Sequence, residues 1–276
     1  MTTLINPFFS VILFFIGLFF GSFANVCIYR WPRNQSIIRP VRSFCPWCKK
    51  KIRWFDNVPL ISFLVLKGRC RECKGTISWK YPLVELTLSL LWIAMFSIFL
   101  KMKPEPHPIF GAGIFFLTFC LVVAFFTDLE WKIIPNQTSF LLIIAGCLIS
   151  FWNPLLPGSS ALQKFLEALL GLCSGGGILL LIAAGGRLYF GKEVMGWGDI
   201  KLFAGIGTFL GWPGIISATM IGTFGGGIFS VAGLIFGFVK RHQYIPFGPF
   251  LILGTLATFF LQATRSAFLP TLKLFQ

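Results

Sequence analysis

The chain has 276 residues, of which 56% are hydrophobic and 12% are charged, and its net charge is +15. Several apolar runs approach the roughly 20 residues that a membrane-spanning helix needs, which excludes an ordinary soluble domain. The composition instead predicts an all-α polytopic membrane protein in a lipid bilayer. Most of the 24 lysines and arginines lie between residues 30 and 80, next to an apolar run. We therefore assign this charge to anionic lipid and retention in the cytoplasm, and expect no nucleic acid partner.

The first predicted element is a membrane helix over residues 8–29. Its small residues Gly17, Gly21 and Ala24 would let another helix approach closely. The preceding residues lack the basic start of a cleaved signal peptide, so we expect this helix to be permanent. Pro32 marks its end, because proline cannot continue the helical hydrogen bonds.

A polar segment, the Cys-rich module, follows the first helix and contains two C-x-x-C pairs, Cys45 with Cys48 and Cys70 with Cys73. This pattern is typical of a four-cysteine zinc ribbon, in which each pair supplies two thiolates from one tight turn. Because the protein would fill all four positions around the ion, we expect the Zn²⁺ to be structural. The alternative is a pair of disulfides, which the basic flanks disfavour because they predict a reducing cytoplasmic location.

Seven further spans are predicted, which with the first helix makes eight: 83–100, 108–127, 133–152, 165–184, 200–212, 214–239 and 247–263. The boundary at residues 211–214 rests on the turn-forming sequence Gly-Trp-Pro-Gly, and seven spans remain the alternative. Glycines four residues apart, such as Gly171 with Gly175 and Gly233 with Gly237, predict close helix packing.

The distribution of charge predicts the orientation of the helices. If the Cys-rich module is cytoplasmic, 19 of the 24 lysines and arginines lie on the inner side, as the positive-inside rule requires. Asp128 then ends a helix that runs inward and Asp199 begins one that runs outward, so both lie near the cytoplasmic interface. An acid in a membrane segment is costly and marks function. Two such acids in one pocket cannot both ionise, so one would act as a general acid while the other activates water.

The motifs taken together resemble those of the bacterial type IV prepilin peptidases, membrane aspartic proteases of the GxGD class. The resemblance is carried by the two cysteine pairs and by six further segments: Gly21-Ser22-Phe23-Ala24-Asn25, Asp56-Asn57-Val58-Pro59, Tyr81-Pro82-Leu83-Val84-Glu85, Asp128 with Ile134-Pro135, Gly196-Trp197-Gly198-Asp199, and Pro246-Phe247-Gly248-Pro249.

The resemblance implies that Asp128 and Asp199 are the catalytic pair. They would remove the basic leader of prepilins and pseudopilins, just after a glycine, on the cytoplasmic side of the bacterial plasma (inner) membrane. It also implies N-methylation of the new N-terminal residue with S-adenosylmethionine as methyl donor, an activity associated with the Cys-rich region and with Gly68.

The predicted division of the chain is a first helix over residues 1–29, a zinc and methyltransferase-associated region over 30–82, and a peptidase domain over 83–276. The oligomeric state stays open, a homo-oligomer included.

Two other functions are compatible with intramembrane acids and a metal module. The first is an ion-coupled transporter, which is disfavoured because transporter sites lie near the bilayer midplane between internal repeats. The second is a non-enzymatic assembly platform that uses the ribbon for docking. For the peptidase, a basic leader needs acidic partners, and the inner side offers few of them: Asp56, Glu72, Glu130 and Glu193.

Overall fold

The computed structural model describes residues 7–40, 42–102, 105–191, 195–238 and 245–272. Its regular elements are eight α-helices and three short 3-10 helices, which confirms the predicted all-α fold. The α-helices are α1 (Pro7–Arg30), α2 (Ile61–Val65), α3 (Lys80–Phe99), α4 (Pro108–Trp131), α5 (Asn136–Ile149), α6 (Ala161–Phe190), α7 (Trp197–Ile235) and α8 (Gly248–Leu272).

The helices have the length and composition of membrane spans. Five of them, α1, α3, α4, α6 and α7, are long and apolar enough to cross a bilayer, and α5 and α8 are shorter apolar helices. The Cys-rich module lies between α1 and α3 and contains the short helix α2. The protein is therefore a multi-pass membrane protein, as its sequence predicts.

Helix α7 contains 39 residues and would be about 58 Å long if it were straight, nearly twice the bilayer core of about 30 Å. Gly211 interrupts it with φ 68° and ψ 175°, and Pro213 follows. A φ of this sign is easily adopted by glycine alone. The helix therefore consists of two arms, residues 197–210 and 212–235.

The two arms of α7 run antiparallel. A Cβ at Gly248 would lie 3.2 Å from Oδ1 of Asp199 in the first arm, and a Cβ at Gly226 in the second arm would lie 3.2 Å from Cγ of Phe250. Asp199 and Gly226 would be about 40 Å apart in a straight helix, yet both lie against the first turn of α8. The chain therefore reverses at Gly211, which confirms the predicted boundary between two helices there, while the count of eight crossings stays a prediction.

The break leaves backbone carbonyls without helical partners in a region where water is scarce. The side-chain amide of Asn153 donates to the carbonyl of Phe209 at 2.8 Å, and that of Gln262 donates to the carbonyl of Leu210 at 3.4 Å. Irregular backbone within a membrane requires such internal partners.

The chain divides into two compact units, Met1–Ser97 and Ile98–Gln276. In the first unit, a Cβ at Gly17 would lie 2.6 Å from Cα of Ser89, so α1 and α3 approach as closely as the small residues predict. The unit boundary falls near the end of α3, whereas the predicted functional boundary is residue 83. That functional division remains a prediction.

In the second unit, Gly171 packs directly against the backbone of Gly207, which joins α6 to the first arm of α7. The predicted packing of Gly237 is wrong. Its φ is +77°, and a Cβ there would meet no described atom within 4 Å. Gly237 lies beyond the end of α7, where a left-handed conformation commonly terminates a helix.

Candidate active site and metal centre

The two predicted aspartates lie at helix ends in the second unit. Asp128 is in the last turn of α4, which ends where Lys132 adopts a left-handed conformation and donates its amide to the carbonyl of Asp128. Asp199 is in the first turn of α7. The two residues are only 5% and 7% exposed, respectively. Their positions at helix ends differ from the midspan acids of a transporter.

Gly248, the first residue of α8, brings the two side chains to one point. A Cβ placed on Gly248 would lie 2.6 Å from Oδ2 of Asp128 and 3.2 Å from Oδ1 of Asp199. The distance between these two oxygens is therefore no greater than the sum of these values. The residues that the sequence predicts to converge do so in the folded chain.

The same two oxygens, Oδ2 of Asp128 and Oδ1 of Asp199, are buried and accept no hydrogen bond from any residue that the structure describes. Buried carboxylate oxygens almost always have a donor. The backbone amide of Gly248 hydrogen-bonds to the Asp128 carboxylate, and the positive ends of the α7 and α8 dipoles lie beside the pair. The arrangement can hold a shared proton and a water molecule between two acids.

The glycines of the Gly-x-Gly-Asp motif have different surroundings. A Cβ at Gly198 would lie 3.0 Å from Cβ of Ile134, whereas one at Gly196 would approach Oδ2 of Asp199, at 3.3 Å, and the amide of Gly198, at 4.0 Å. Lys201 also donates to the side chain of Asn136 at 3.1 Å. Gly198 thus lets the segment before α5 pack against α7, while Gly196 leaves space beside the Asp199 carboxylate.

Sequence reasoning missed the role of Gly248. The Pro-Phe-Gly-Pro motif is compatible with either a helix start or a loop facing substrate. In the structure it begins α8. The available signal was a glycine within a proline-rich turn, which predicts a close backbone approach without saying to which side chain.

The four cysteines of the polar module form one cluster. Their Sγ atoms all lie within 4.8 Å of one another, and Cys45 and Cys73 are separated by 3.8 Å. Zinc–sulfur bonds of about 2.3 Å in a tetrahedron place thiolates about 3.8 Å apart. All four are free thiols. The cluster can therefore hold a metal ion.

The two cysteine turns have the same backbone geometry. The residues that follow the second cysteine of each pair, Lys49 and Lys74, have φ values of 59° and 58°. Their amides donate to the carbonyls of Cys45 and Cys70 at 2.9 Å and 3.0 Å. This repeated turn presents both sulfurs of a pair on one side.

Comparison with known proteins identifies the family. The family described as "Bacterial Peptidase A24 N-terminal domain" matches residues 15–99, and the "Type IV leader peptidase family" matches residues 114–231. The chain is 31% identical to a prepilin leader peptidase/N-methyltransferase from Aeromonas salmonicida (strain A449), with 88% of this chain and 87% of that protein covered. The chain belongs to the type IV leader peptidase family.

Other relatives of this family member come from other bacteria. It is 32% identical to the prepilin leader peptidase/N-methyltransferase of Bacillus subtilis (strain 168), over 90% of this chain and 92% of that protein. It is 33% identical to an Escherichia coli O78:H11 protein named type 4 prepilin-like proteins leader peptide-processing enzyme, with the same coverage. No solved structure matches the chain. The family assignment therefore rests on the sequence comparisons.

In this leader peptidase family member, Gly68 occupies a tight turn beyond α2. Its φ is +67°, and a Cβ there would lie 3.2 Å from Cζ of Phe63. Its amide donates to the carbonyl of Phe63, and its carbonyl accepts from the amide of Ile77. The geometry accounts for a glycine at this position, while its part in methyl transfer stays a prediction.

The acidic residues considered for leader binding fall into three groups. Glu72 is paired with two basic residues of the module, and Asp56 accepts three hydrogen bonds from Arg71, which lowers the pKa of Asp56. Glu130 is exposed near the end of α4. Glu193 lies outside the described residues. Of the described acids, Glu130 lies nearest in sequence to Asp128, and its part in leader binding stays a prediction.

Proposed function

We propose that this protein removes the leader peptide from type IV prepilins and pseudopilins with Asp128 and Asp199, and then methylates the new N-terminus. The observation that carries the proposal is the convergence of two buried carboxylate oxygens, both lacking donors among the described residues, on one point beside Gly248. The printed names of the relatives, prepilin leader peptidase/N-methyltransferase, support the substrate and the second activity.

The hydrolysis needs only one proton shared by the pair and one water molecule. The ionised carboxylate takes a proton from the water molecule, and the oxygen of that water attacks the carbonyl carbon of the scissile bond. The protonated carboxyl gives its proton to the carbonyl oxygen, which forms a tetrahedral intermediate. Collapse of this intermediate breaks the C–N bond, the leaving amine receives a proton, and the pair returns to its initial state with one shared proton. The shared proton belongs to the pair rather than to one residue.

The site is proposed to face the cytoplasm. Asp128, Asp199 and Gly248 lie at one end of the helices of the second unit, and counting lysines and arginines favours that end as cytoplasmic. A basic leader held at the inner face of the membrane would reach the pair there.

Zinc and the methyl donor have separate tasks in this proposal. Cys45, Cys48, Cys70 and Cys73 would hold Zn²⁺, whose bonds to four thiolates would fix the two turns relative to each other. S-adenosylmethionine supplies a methyl group bonded to a positively charged sulfur. The amine of the new N-terminus would accept this methyl group and release one proton to solvent, and the sulfur would keep the electron pair of its broken bond.

The test uses Asp128→Asn and Asp199→Asn in the purified full-length protein. Each variant replaces one carboxylate with a group of nearly the same shape, so leader removal from a synthetic prepilin should fall to background while the protein stays folded and membrane-inserted. Glu105→Gln, the same chemical change near the opposite end of α4, serves as the control. The mass of the prepilin reports leader loss and methyl addition separately. Cleavage retained by either aspartate variant would refute the dyad.

A further inference from the structure

The first unit contains a cavity of about 560 Å³, a volume within the range of about 300–1,000 Å³ that is typical of small-molecule sites. Residues of α1, α3 and the Cys-rich module line it. Its lining includes Ser22 and Asn25 from α1, Tyr81 and Glu85 from α3, and Cys45 and Cys70 from the metal cluster. The aspartate pair lies in the other unit, so the cleavage reaction does not account for this space.

Glu85 is the buried acid of the cavity and is only 7% exposed. Its carboxylate accepts a hydrogen bond of 2.7 Å from the amide of Leu60 and another from the hydroxyl of Ser22. A carboxylate has about four acceptor positions, so two donors leave part of its capacity unused. The described residues place no basic partner in hydrogen-bond contact with Glu85, although five basic residues line other parts of the cavity: Arg30, Lys50, Lys51, Arg53 and Arg71.

The amide that Glu85 binds belongs to a strained turn. Leu60 has φ 60° and ψ −50°, and the turn closes through a hydrogen bond of 2.6 Å from the amide of Ile61 to the carbonyl of Pro59. A leucine in this region of φ and ψ is rare, and such strain concentrates at functional sites. Glu85 thus holds an unfavourable turn at the wall of the cavity.

Asn25 supplies a second unsatisfied group. It is 5% exposed, and its Nδ2 donates to the carbonyl of Tyr81 at 3.0 Å. Its Oδ1 accepts no hydrogen bond from the described residues. Buried polar atoms without a partner are rare in native proteins, so an occupant that brings a donor would complete this site.

Aromatic residues provide the apolar part of the lining. Tyr29, Phe44 and Phe63 all border the cavity. Aromatic faces attract cations and stack on flat rings. An occupant with a positive charge, a planar aromatic group and hydrogen-bond donors would match the carboxylate, the rings and the unpaired amide oxygen together.

We infer that this cavity binds the methyl donor, an adenosine that carries a positively charged sulfonium, and that Glu85 recognises the positive charge. The inference rests on the proposed methyl transfer and names the site for its donor. It also gives the metal cluster a positioning task, because Cys45 and Cys70 form part of the wall.

Calorimetry on the full-length, zinc-loaded protein tests the role of Glu85. The two probes are S-adenosylmethionine and its neutral thioether product, S-adenosylhomocysteine. Glu85→Gln keeps an oxygen that can accept from the Leu60 amide but removes the negative charge. We expect the variant to bind the sulfonium about tenfold or more weakly, while its affinity for the thioether changes much less. Glu105→Gln should leave both affinities unchanged.

Equal affinities in the wild type and in Glu85→Gln, for both probes, would overturn the recognition of the sulfonium by Glu85. A variant that loses methylation at unchanged donor affinity would assign the acid to the peptide amine, which also overturns the inference.

A second measurement does not depend on the folding of a variant. Ultraviolet cross-linking of radiolabelled S-adenosylmethionine to the wild type should label peptides that contain Tyr29, Phe44 or Tyr81. Labelling confined to the second unit would overturn the site. If the wild type is labelled only in the second unit but still methylates a prepilin, the proposed function stands and only the proposed site is wrong. Labelling of the cavity without a methylated product would instead refute the methyl transfer.

Discussion

Gly248 and Asp128 are in contact at the candidate active site, where a Cβ on the glycine would lie 2.6 Å from Oδ2 of the aspartate. The first residue of α8 is therefore a third component of the site, beside the two acids. It contributes an amide to Asp128 and the space that a side chain would fill. The pair can hold a water molecule only if that space stays open.

The first prediction concerns this space. Gly248→Ala would place a methyl group against both carboxylates, and displacement of catalytic groups by about 1 Å can cost about 100-fold in rate. We expect leader cleavage to fall by at least that factor, measured as initial rates on a synthetic prepilin. Gly225→Ala is the matched control, because a Cβ there would meet no described atom within 4 Å. A Gly248→Ala protein that cleaves at the wild-type rate would contradict this view of the site.

The second prediction concerns the metal. Cys45→Ser should lower the zinc content of the purified protein from about one ion per chain and reduce its thermal stability, because three thiolates bind Zn²⁺ less tightly than four. Elemental analysis and the melting temperature measure these effects. Cys173→Ser should change neither, since Cys173 lies on α6 outside the cluster. Full zinc content in Cys45→Ser would show that the four cysteines do not form one zinc site.

Much of this architecture follows from local patterns. The C-x-x-C spacing predicts the clustering of four sulfurs, and Gly211 with Pro213 predicts the reversal of α7, because each depends on residues close together in sequence. The convergence of Asp128 and Asp199 also follows from counting helix directions. Such counting gives a common end of the helices and no distances.

The contacts that could not be predicted join distant residues. The approach of Gly248 to Asp128 and the hydrogen bond from the Leu60 amide to Glu85 depend on tertiary packing, which hydrophobic patterns do not encode. At Gly237 the sequence pattern predicts a packing contact that the described residues do not make. Its spacing from Gly233 matches a packing motif, but α7 ends before Gly237, so the two glycines do not lie on one face of a helix.

The third prediction concerns recognition of the basic leader. Glu130→Lys should raise KM for a prepilin with a basic leader by about threefold or more and leave kcat nearly unchanged, because an exposed charge contributes to binding rather than to the reacting bond. The effect should shrink at high salt. Glu105→Lys, the same reversal near the opposite end of α4, is the control. A KM in Glu130→Lys that matches the control at low salt would remove Glu130 from leader binding.

The fourth prediction concerns pH. The hydrogen bonds from Arg71 hold the pKa of Asp56 below its usual value of about 3.9. The pair therefore stabilises the module at neutral pH, and this contribution is lost as the pH falls through the lowered pKa. Asp56→Asn should lower the melting temperature at pH 7 by about 2–4 °C, a small effect because Arg71 is partly exposed. The difference from the wild type should narrow below pH 4, and a constant difference would contradict the ion pair as its cause.

The fifth prediction concerns the break in α7. Asn153 is 1% exposed, and its amide is the donor to the carbonyl of Phe209. Asn153→Leu leaves that carbonyl buried without this partner, which costs about 1–3 kcal/mol and should lower the melting temperature in detergent by about 3–10 °C. Thr264→Val is the control, because Thr264 is exposed on α8 and, among the described residues, its hydroxyl bonds only to carbonyls of its own helix. An unchanged melting temperature in Asn153→Leu would mean that water or another donor satisfies the break, and the reversal of α7 would then not depend on this side chain.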